Sequence, residues 1–232
     1  EMSKRWSLAR TDEVWVGWLC HEDPMSRILC DVVPTRPASH PWNRDRTKSQ
    51  GSLSQGFPLT QTTDSVDQPS REGFSSLGLS PTMLEVVSDL GYEEPTPVQA
   101  EAMPAVLQGR DLLAAAQTGT GKTAAFLLPV ADHLGHAPRH GGPLMLVITP
   151  TRELAQQIED VAVAVAARTH HHCVTVVGGA SYEPQKAALA RGCDILVATP
   201  GRLVDLIDQG VCHLGSVEVL VIDEADRMLD MG

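Results

Sequence analysis

No stretch of the 232-residue chain is apolar for long enough to cross a membrane. The longest early run, Val14-Trp15-Val16-Gly17-Trp18-Leu19-Cys20, falls far short of the roughly 18 residues a spanning helix needs. Arg10, Asp12 and Glu13 break up the apolar core of any secretory leader, so a soluble, cytoplasmic protein is expected. Basic charge is also scarce: 18 Lys and Arg stand against 29 Asp and Glu, for a formal net charge of −11. That balance excludes a general basic coat for nucleic acid, which draws on clustered cations. It leaves room for local phosphate contacts from backbone amides, helix N-termini and a few arginines. The five cysteines (Cys20, Cys30, Cys173, Cys193 and Cys212) contain no CxxC pair, so neither a zinc knuckle nor a dithiol redox motif is indicated. Reduced, mostly buried thiols are expected. The run His170-His171-His172 lacks a second ligand pair at metal-site spacing, and a polar turn ahead of a strand at Cys173 accounts for it.

What is present begins abruptly at Gly73. All four tryptophans fall before residue 43, and residues 34–71 are crowded with Pro, Ser, Thr, Gln, Arg and Asp. That stretch has no sustained period of 3.6 or 2, so residues 1–72 read as a disordered or non-native extension. Beyond it, Ser80 can cap a helix opening at Pro81 and closing at Gly91, and Thr96 one opening at Pro97 and closing at Gly109. Strand-length apolar runs follow at 111–115, 144–149, 173–177, 195–198 and 217–222, separated by helical stretches near 122–134, 152–167, 184–191 and 202–209. Alternating strands and helices imply an α/β fold, a doubly wound parallel sheet covered on both faces. Such a sheet presents its ligand-binding loops at the carboxyl ends of the strands.

The chemistry gathers at those ends. After the run 111–115 comes Ala116-Gln117-Thr118-Gly119-Thr120-Gly121-Lys122-Thr123, one step from GxxxxGK[ST], with Ala116 in the first glycine position. Gly119 and Gly121 let the backbone turn tightly and aim N–H groups at phosphate oxygens, and the helix that follows adds its positive end. Lys122 then reaches the β- and γ-phosphates and Thr123 ligates magnesium. About a hundred residues on, an apolar β-branched strand delivers Asp223 and Glu224. One carboxylate binds magnesium, and its neighbour can take a proton from an attacking water. An acidic helix N-terminus is the alternative for the carboxylates alone; paired with the phosphate loop they describe an ATPase site.

Asp223-Glu224-Ala225-Asp226 resembles the signature of the DEAD-box RNA helicases, and other first-domain motifs of that family are present in order. Phe74 lies upstream of Gly91-Tyr92-Glu93-Glu94-Pro95-Thr96-Pro97-Val98-Gln99, which is similar to the family's adenine-reading segment. The resemblance implies that Gln99 bonds the adenine edge and Tyr92 stacks on the base. Thr96 and Gln99 also have capping-box spacing, and spacing alone favours the cap. Pro150, Thr151 and Arg152, then Gly178 and Gly179, then Thr199, Pro200, Gly201 and Arg202, each follow a strand with small residues or a helix start. By resemblance these three stretches hold the sugar-phosphate backbone of RNA without sequence preference, with Arg152 and Arg202 free to meet phosphate. Asp226 is implied to contact other motifs rather than metal.

The resemblance covers residues 73–232 and divides them into an adenine-recognition segment, 73–109, and a RecA-like first domain, 110–232. Gly73-Phe74-Ser75-Ser76-Leu77-Gly78-Leu79-Ser80-Pro81 and Arg227-Met228-Leu229-Asp230-Met231-Gly232 are similar to the bacterial RhlE-type subgroup. The family's next motif, Ser-Ala-Thr, and its second RecA-like domain do not follow, so a truncated chain is expected. A slot between the phosphate-loop strand and the strand bearing Asp223 is expected with it, as are marginal stability and aggregation. The function implied is ATP hydrolysis coupled to RNA unwinding, of which this chain holds the ATP–Mg2+-binding first domain. The alternatives are a stand-alone ATP- and RNA-binding module without unwinding, and a DNA translocase, against which the Gln99 segment speaks.

Overall fold

The computed structural model describes residues 8–11, 14–17, 73–117, 119–134, 136 and 142–230. The chain forms two compact units, Arg36–Asp132 and a second comprising Glu1–Thr35 with His133–Gly232. Among the described residues no helix is long and apolar enough to cross a membrane.

The described residues of the first unit form helices and turns. A 3-10 turn, Phe74–Leu77, buries Phe74. Ser80 then caps α1 (Pro81–Asp89), its Oγ accepting from Met83 N–H at 3.3 Å while Pro81 fills the first helical position, where no N–H is needed. The same serine donates through its backbone N–H to Asp132 Oδ2 at 2.8 Å and through its hydroxyl to Asp132 Oδ1. That ties the start of α1 to the end of α3 (Lys122–His133). Between them α2 (Pro97–Leu107) buries Ala102, Met103 and Ala105, and Gln99 with them.

One expected strand is absent. Residues 111–117 have no regular structure, and Leu112 and Leu113 are 47% and 98% exposed. A short apolar run becomes a strand only where a neighbour completes its hydrogen-bond ladder, and no described strand pairs with this one. Among the described residues this run thus supplies no flank for the expected slot, and the sheet edge where the slot was expected carries no further strand.

That edge belongs to β6 in the second unit. β3 (Met145–Ile148), β4 (Cys173–Val176), β5 (Ile195–Ala198) and β6 (Val219–Ile222) form a parallel sheet in the order β4-β5-β3-β6. All four runs are apolar or β-branched, as strands covered on both faces must be. Met145, Leu146, Val147 and Ile148 are each wholly buried, with β5 and β6 on either side. Alternate residues, Leu146, Ile148, Leu196, Ala198, Val174 and Val176, share one core with Leu203, Val204 and Leu206 of α6 (Pro200–Asp208) and Met228 of α7 (Ala225–Asp230). α5 (Tyr182–Ala190) adds Tyr182, Ala188 and Leu189 at its margin. α4 (Arg152–Thr169) packs on β4 and β5 through Ala155, Ile158, Ala162 and Val165, none of which belongs to that core. β6 is less covered, with Ile222 37% exposed.

Two strands occur where none was expected: β1 (Leu8–Thr11) and β2 (Val14–Gly17) pair antiparallel, Thr11 opposite Val14. The remainder of the extension assigned to residues 1–72 lies outside the described residues.

The histidine run is structural. His170, with φ 60°, ends α4; buried His171 bonds Thr169 Oγ1 at 2.7 Å and Leu134 O at 3.1 Å; His172 N–H donates to Asp194 Oδ2 at 2.7 Å. No cluster able to hold a metal occurs among the described residues. Cys173, Cys193 and Cys212 are free thiols at least partly buried in this region. Burial pushes Cys173 and Cys193 up from 9.0 to about 12, and Cys212 to about 11.

Leu146→Ala should cost about 3 kcal/mol in a urea melt, because it opens a cavity that the β5 and β6 neighbours cannot fill. Leu113→Ser should change stability by less than about 0.5 kcal/mol. The folded thiols hold their protons more tightly than unfolded ones. Their contribution is therefore complete below about pH 9 and fades as pH climbs towards 12. Alkaline urea melts should show this decline, and Cys173→Ala should flatten part of it.

Candidate functional site

The glycine-rich loop turns directly into α3, with Lys122 as the first helical residue and Thr123, half-buried, as the second. Gly119 and Gly121 both lie in the left-handed region, φ 81° and 83°, which lets the loop curl around its own backbone. Lys122 Nζ donates to Ala116 O at 2.9 Å across that curl, and Thr120 Oγ1 donates to Gln117 O at 2.8 Å. Thr118 lies outside the described residues.

The loop is tied to α2 by Thr96 and Gln99, the two residues whose spacing favours a cap. Thr96 Oγ1 donates to Thr120 O at 2.8 Å. Gln99, only 3% exposed, accepts from Thr96 N–H at 2.9 Å through Oε1 and donates to Gly121 O at 3.1 Å through Nε2. The cap and the contact to the loop are thus two ends of one amide. A Cβ at Gly121 would lie 2.4 Å from Gln99 Nε2, so the loop needs glycine here for space as well as for φ. Tyr92 lies 6.4 Å from Phe74, ring centroid to ring centroid and nearly parallel. Both line a cavity of about 580 Å³ with Leu84, Val87 and Glu93.

In the second unit the strand ends are level. Ile148 stands opposite both Ala198 and Ile222, and Ala198 opposite Val176, so the residues that follow emerge along one edge. Pro150 is buried, and Thr151 caps α4 by accepting from Leu154 N–H at 3.3 Å. Arg152 is exposed, its guanidinium so close to the next loop that a Cβ on Gly179 would meet Nη1 at 2.5 Å. Gly179 has φ 75°, and Gly178 N–H donates to Thr199 Oγ1 at 3.2 Å. Pro200 opens α6, and exposed Gly201 follows.

Arg202 departs from expectation. It is 8% exposed and turned inward, its Nη2 donating to Ala180 O at 3.0 Å and its guanidinium 4.2 Å from the centre of the Tyr182 ring. Its Nε and Nη1 are buried without a hydrogen-bond partner. The guanidinium is held beneath the loop because the aromatic face and the carbonyl together replace its water.

Past β6, Asp223 N–H donates to Ile148 O at 2.9 Å, carrying the ladder one residue beyond the strand. Asp223 Oδ1 accepts from Glu224 N–H at 3.1 Å. Glu224 takes φ 49°, a left-handed conformation that costs a side-chain-bearing residue about 1–2 kcal/mol. Arg227 Nη1 answers its carboxylate at 2.8 Å, and the Glu224 side chain is 7% exposed. The hydrogen bond to Glu224, with its negative charge, raises the Arg227 guanidinium still further above its ordinary range. Asp226 is exposed in the first turn of α7. Sequence reasoning missed Arg227 and Gln185, although Glu224 and Arg227 stand one helical turn apart and that spacing could have signalled the pair. It also missed Tyr182, whose partner Arg202 is twenty residues away and leaves no local pattern.

A parallel sheet with loops of this kind along its carboxyl edge is the RecA-like helicase-domain fold, which the chain shares with its solved neighbours. A family model described as DEAD/DEAH box helicase matches residues 96–232, and the chain belongs to that family, whose members use nucleotide. It is 46% identical over 156 residues to the pre-mRNA-splicing ATP-dependent RNA helicase PRP28 of Cryptococcus neoformans, covering 65% of this chain and 21% of that one. It is 48% identical over 161 residues to the ATP-dependent RNA helicase SrmB of Escherichia coli, covering 68% and 36%. Among solved structures, Prp28 from Chaetomium thermophilum bound to ADP is 45% identical with a TM-score of 0.65, covering 69% of this chain and 40% of that one. A DEAD box protein from Methanococcus jannaschii is 35% identical with a TM-score of 0.63, covering 69% and 43%. The matched region therefore spans between about a fifth and a third of these two curated relatives.

Gly121→Ala should displace Gln99 and force a left-handed alanine. Calorimetric titration should then show ATP affinity falling at least about tenfold, with a stability loss of about 1–2 kcal/mol.

Proposed function

We propose that this chain is the nucleotide- and RNA-binding first domain of an ATP-dependent RNA helicase. The level strand register carries the reading, because it aligns Asp223 with the Pro150, Gly178 and Thr199 turns along one edge. In this reading residues 73–109 present the adenine, with Gln99 on the base edge and Tyr92 stacked. The Ala116 to Thr123 loop wraps the phosphates and Lys122 neutralises them.

Thr123 and Asp223, one in each unit, would each offer an oxygen of the kind magnesium takes, a hard cation that keeps several waters. When bound it draws charge from the phosphate oxygens. Glu224 takes the proton of the attacking water, and its left-handed backbone and Arg227 hold that carboxylate in place. Asp226 links this turn to other motifs. Pro150, Thr151, Arg152, Gly178, Gly179, Thr199, Pro200 and Gly201 meet the RNA backbone, while Arg202 supports the glycine loop from below and lends it positive charge.

Unwinding requires a second RecA-like domain to close over both ligands and answer the γ-phosphate. The finer assignments we carry are the RhlE-type subgroup, which rests on the segments around Phe74 and Met228, and a cytoplasmic location.

The test is RNA-stimulated phosphate release by the enzyme completed with its second domain. Glu224→Gln should lower turnover by about 100-fold or more while ATP still binds, whereas Lys122→Ala should lose both. Turnover unchanged by Glu224→Gln would overturn the base assignment, and stimulation by DNA rather than RNA would favour a translocase.

A further inference from the structure

We infer that Gln185 is a positioning residue for RNA, holding the Gly178 and Gly179 loop in the shape that meets a phosphate backbone. The inference deepens the reading of Arg152, Gly178 and Gly179 as an RNA contact and rests on it.

The loop runs from the end of β4 to the start of α5, residues 177–181, and two of its five residues are glycines. Left to itself such a segment samples many backbone states. Little packing restrains it, because a cavity of about 410 Å³ opens beside it, lined by Arg152, Gln156, Thr175, Val177, Ala180 and Ser181 among others. Polar bonds from three side chains restrain it instead. Thr199 accepts from Gly178 N–H, and Arg202 donates to Ala180 O. Three more bonds come from Gln185, 8% exposed in the first turn of α5. Its Oε1 accepts from Val177 N–H at 3.2 Å, and its Nε2 donates to Val177 O at 3.2 Å and to Ser181 O at 3.1 Å.

One amide thus closes both ends of the loop and uses an acceptor and two donors at once, which no other side chain of its size supplies. A carboxylate keeps the bond from Val177 N–H but sets negative charge against two carbonyls. A thioether makes none of the three bonds. Gln185 itself need not touch RNA. It acts by raising the fraction of molecules whose loop is already in the binding shape, and affinity scales with that fraction.

The experiment uses the full chain and a fluorescein-labelled ten-uridine RNA at low salt, read by anisotropy. ATP affinity and melting temperature are measured alongside, on wild type, Arg152→Ala, Gln185→Met and Gln185→Glu. The expected result is that both Gln185 variants bind the RNA about tenfold more weakly, as a fall of the competent fraction to about a tenth requires. ATP affinity, whose proposed adenine and phosphate-loop contacts come from residues 73–123 and not from the loop that Gln185 holds, should stay at the wild-type value. Wild-type RNA affinity in both Gln185 variants, with Arg152→Ala weakened, would overturn the positioning role and leave the RNA site standing. No RNA binding by wild type, or none lost in Arg152→Ala, would remove the site reading and this inference with it. If Gln185→Met melts too early to titrate, Gln185→Glu decides on the same criteria. Equal losses of RNA and ATP affinity in that variant would mark Gln185 as merely structural and also overturn the proposal.

Discussion

The level pairing of β3 with β5 and of β3 with β6 is the constraint on which the second unit depends. Parallel strands that start and stop together send every following turn out at one edge, so residues far apart in sequence emerge side by side. A slip of one residue in any ladder would turn Leu146 and Ile148 away from the core they share with Leu203 and Leu206. Burial of the alternate faces therefore fixes the register, and the register places Asp223 and Thr199. The ladder even continues past β6, where Asp223 N–H still finds Ile148 O.

The phosphate loop obeys a different logic. No strand anchors its entry, since residues 111–117 are irregular, and its shape comes from α3 behind it and α2 beside it. Gln99 is the pivot, capping its own helix with one atom and gripping Gly121 O with another. Burial makes that amide effective, because water cannot compete for either bond at a site 3% exposed.

Much of this was legible in the chain itself. The caps at Ser80 and Thr96, four of the five expected parallel strands and the helices after them stand close to where hydrophobic period and turn residues put them. The run 111–115 was misread because a strand is a property of two segments, and its sequence shows only one. Arg202 looked like a surface cation because nothing near it in sequence announces Tyr182 or Ala180. Thr96 and Gln99 were legible as a capping box, whereas their reach to Thr120 and Gly121 spans more than twenty residues and leaves no local trace. Charge composition excludes a general basic coat and leaves room for local contacts from amides and a few cations, the kind of groups that stand along the sheet edge.

In the proposed reading the glycine loop at the sheet edge offers a ligand peptide groups, which every amino acid but proline carries in full. A change of side chain at Ala180 or Ser181 leaves those peptide groups in place. The vulnerable positions are displaced to buried supports, the amide of Gln185, the hydroxyl of Thr199 and the guanidinium of Arg202. A map of mutational damage over this face would therefore be brightest on residues that a footprint of the bound ligand leaves dark.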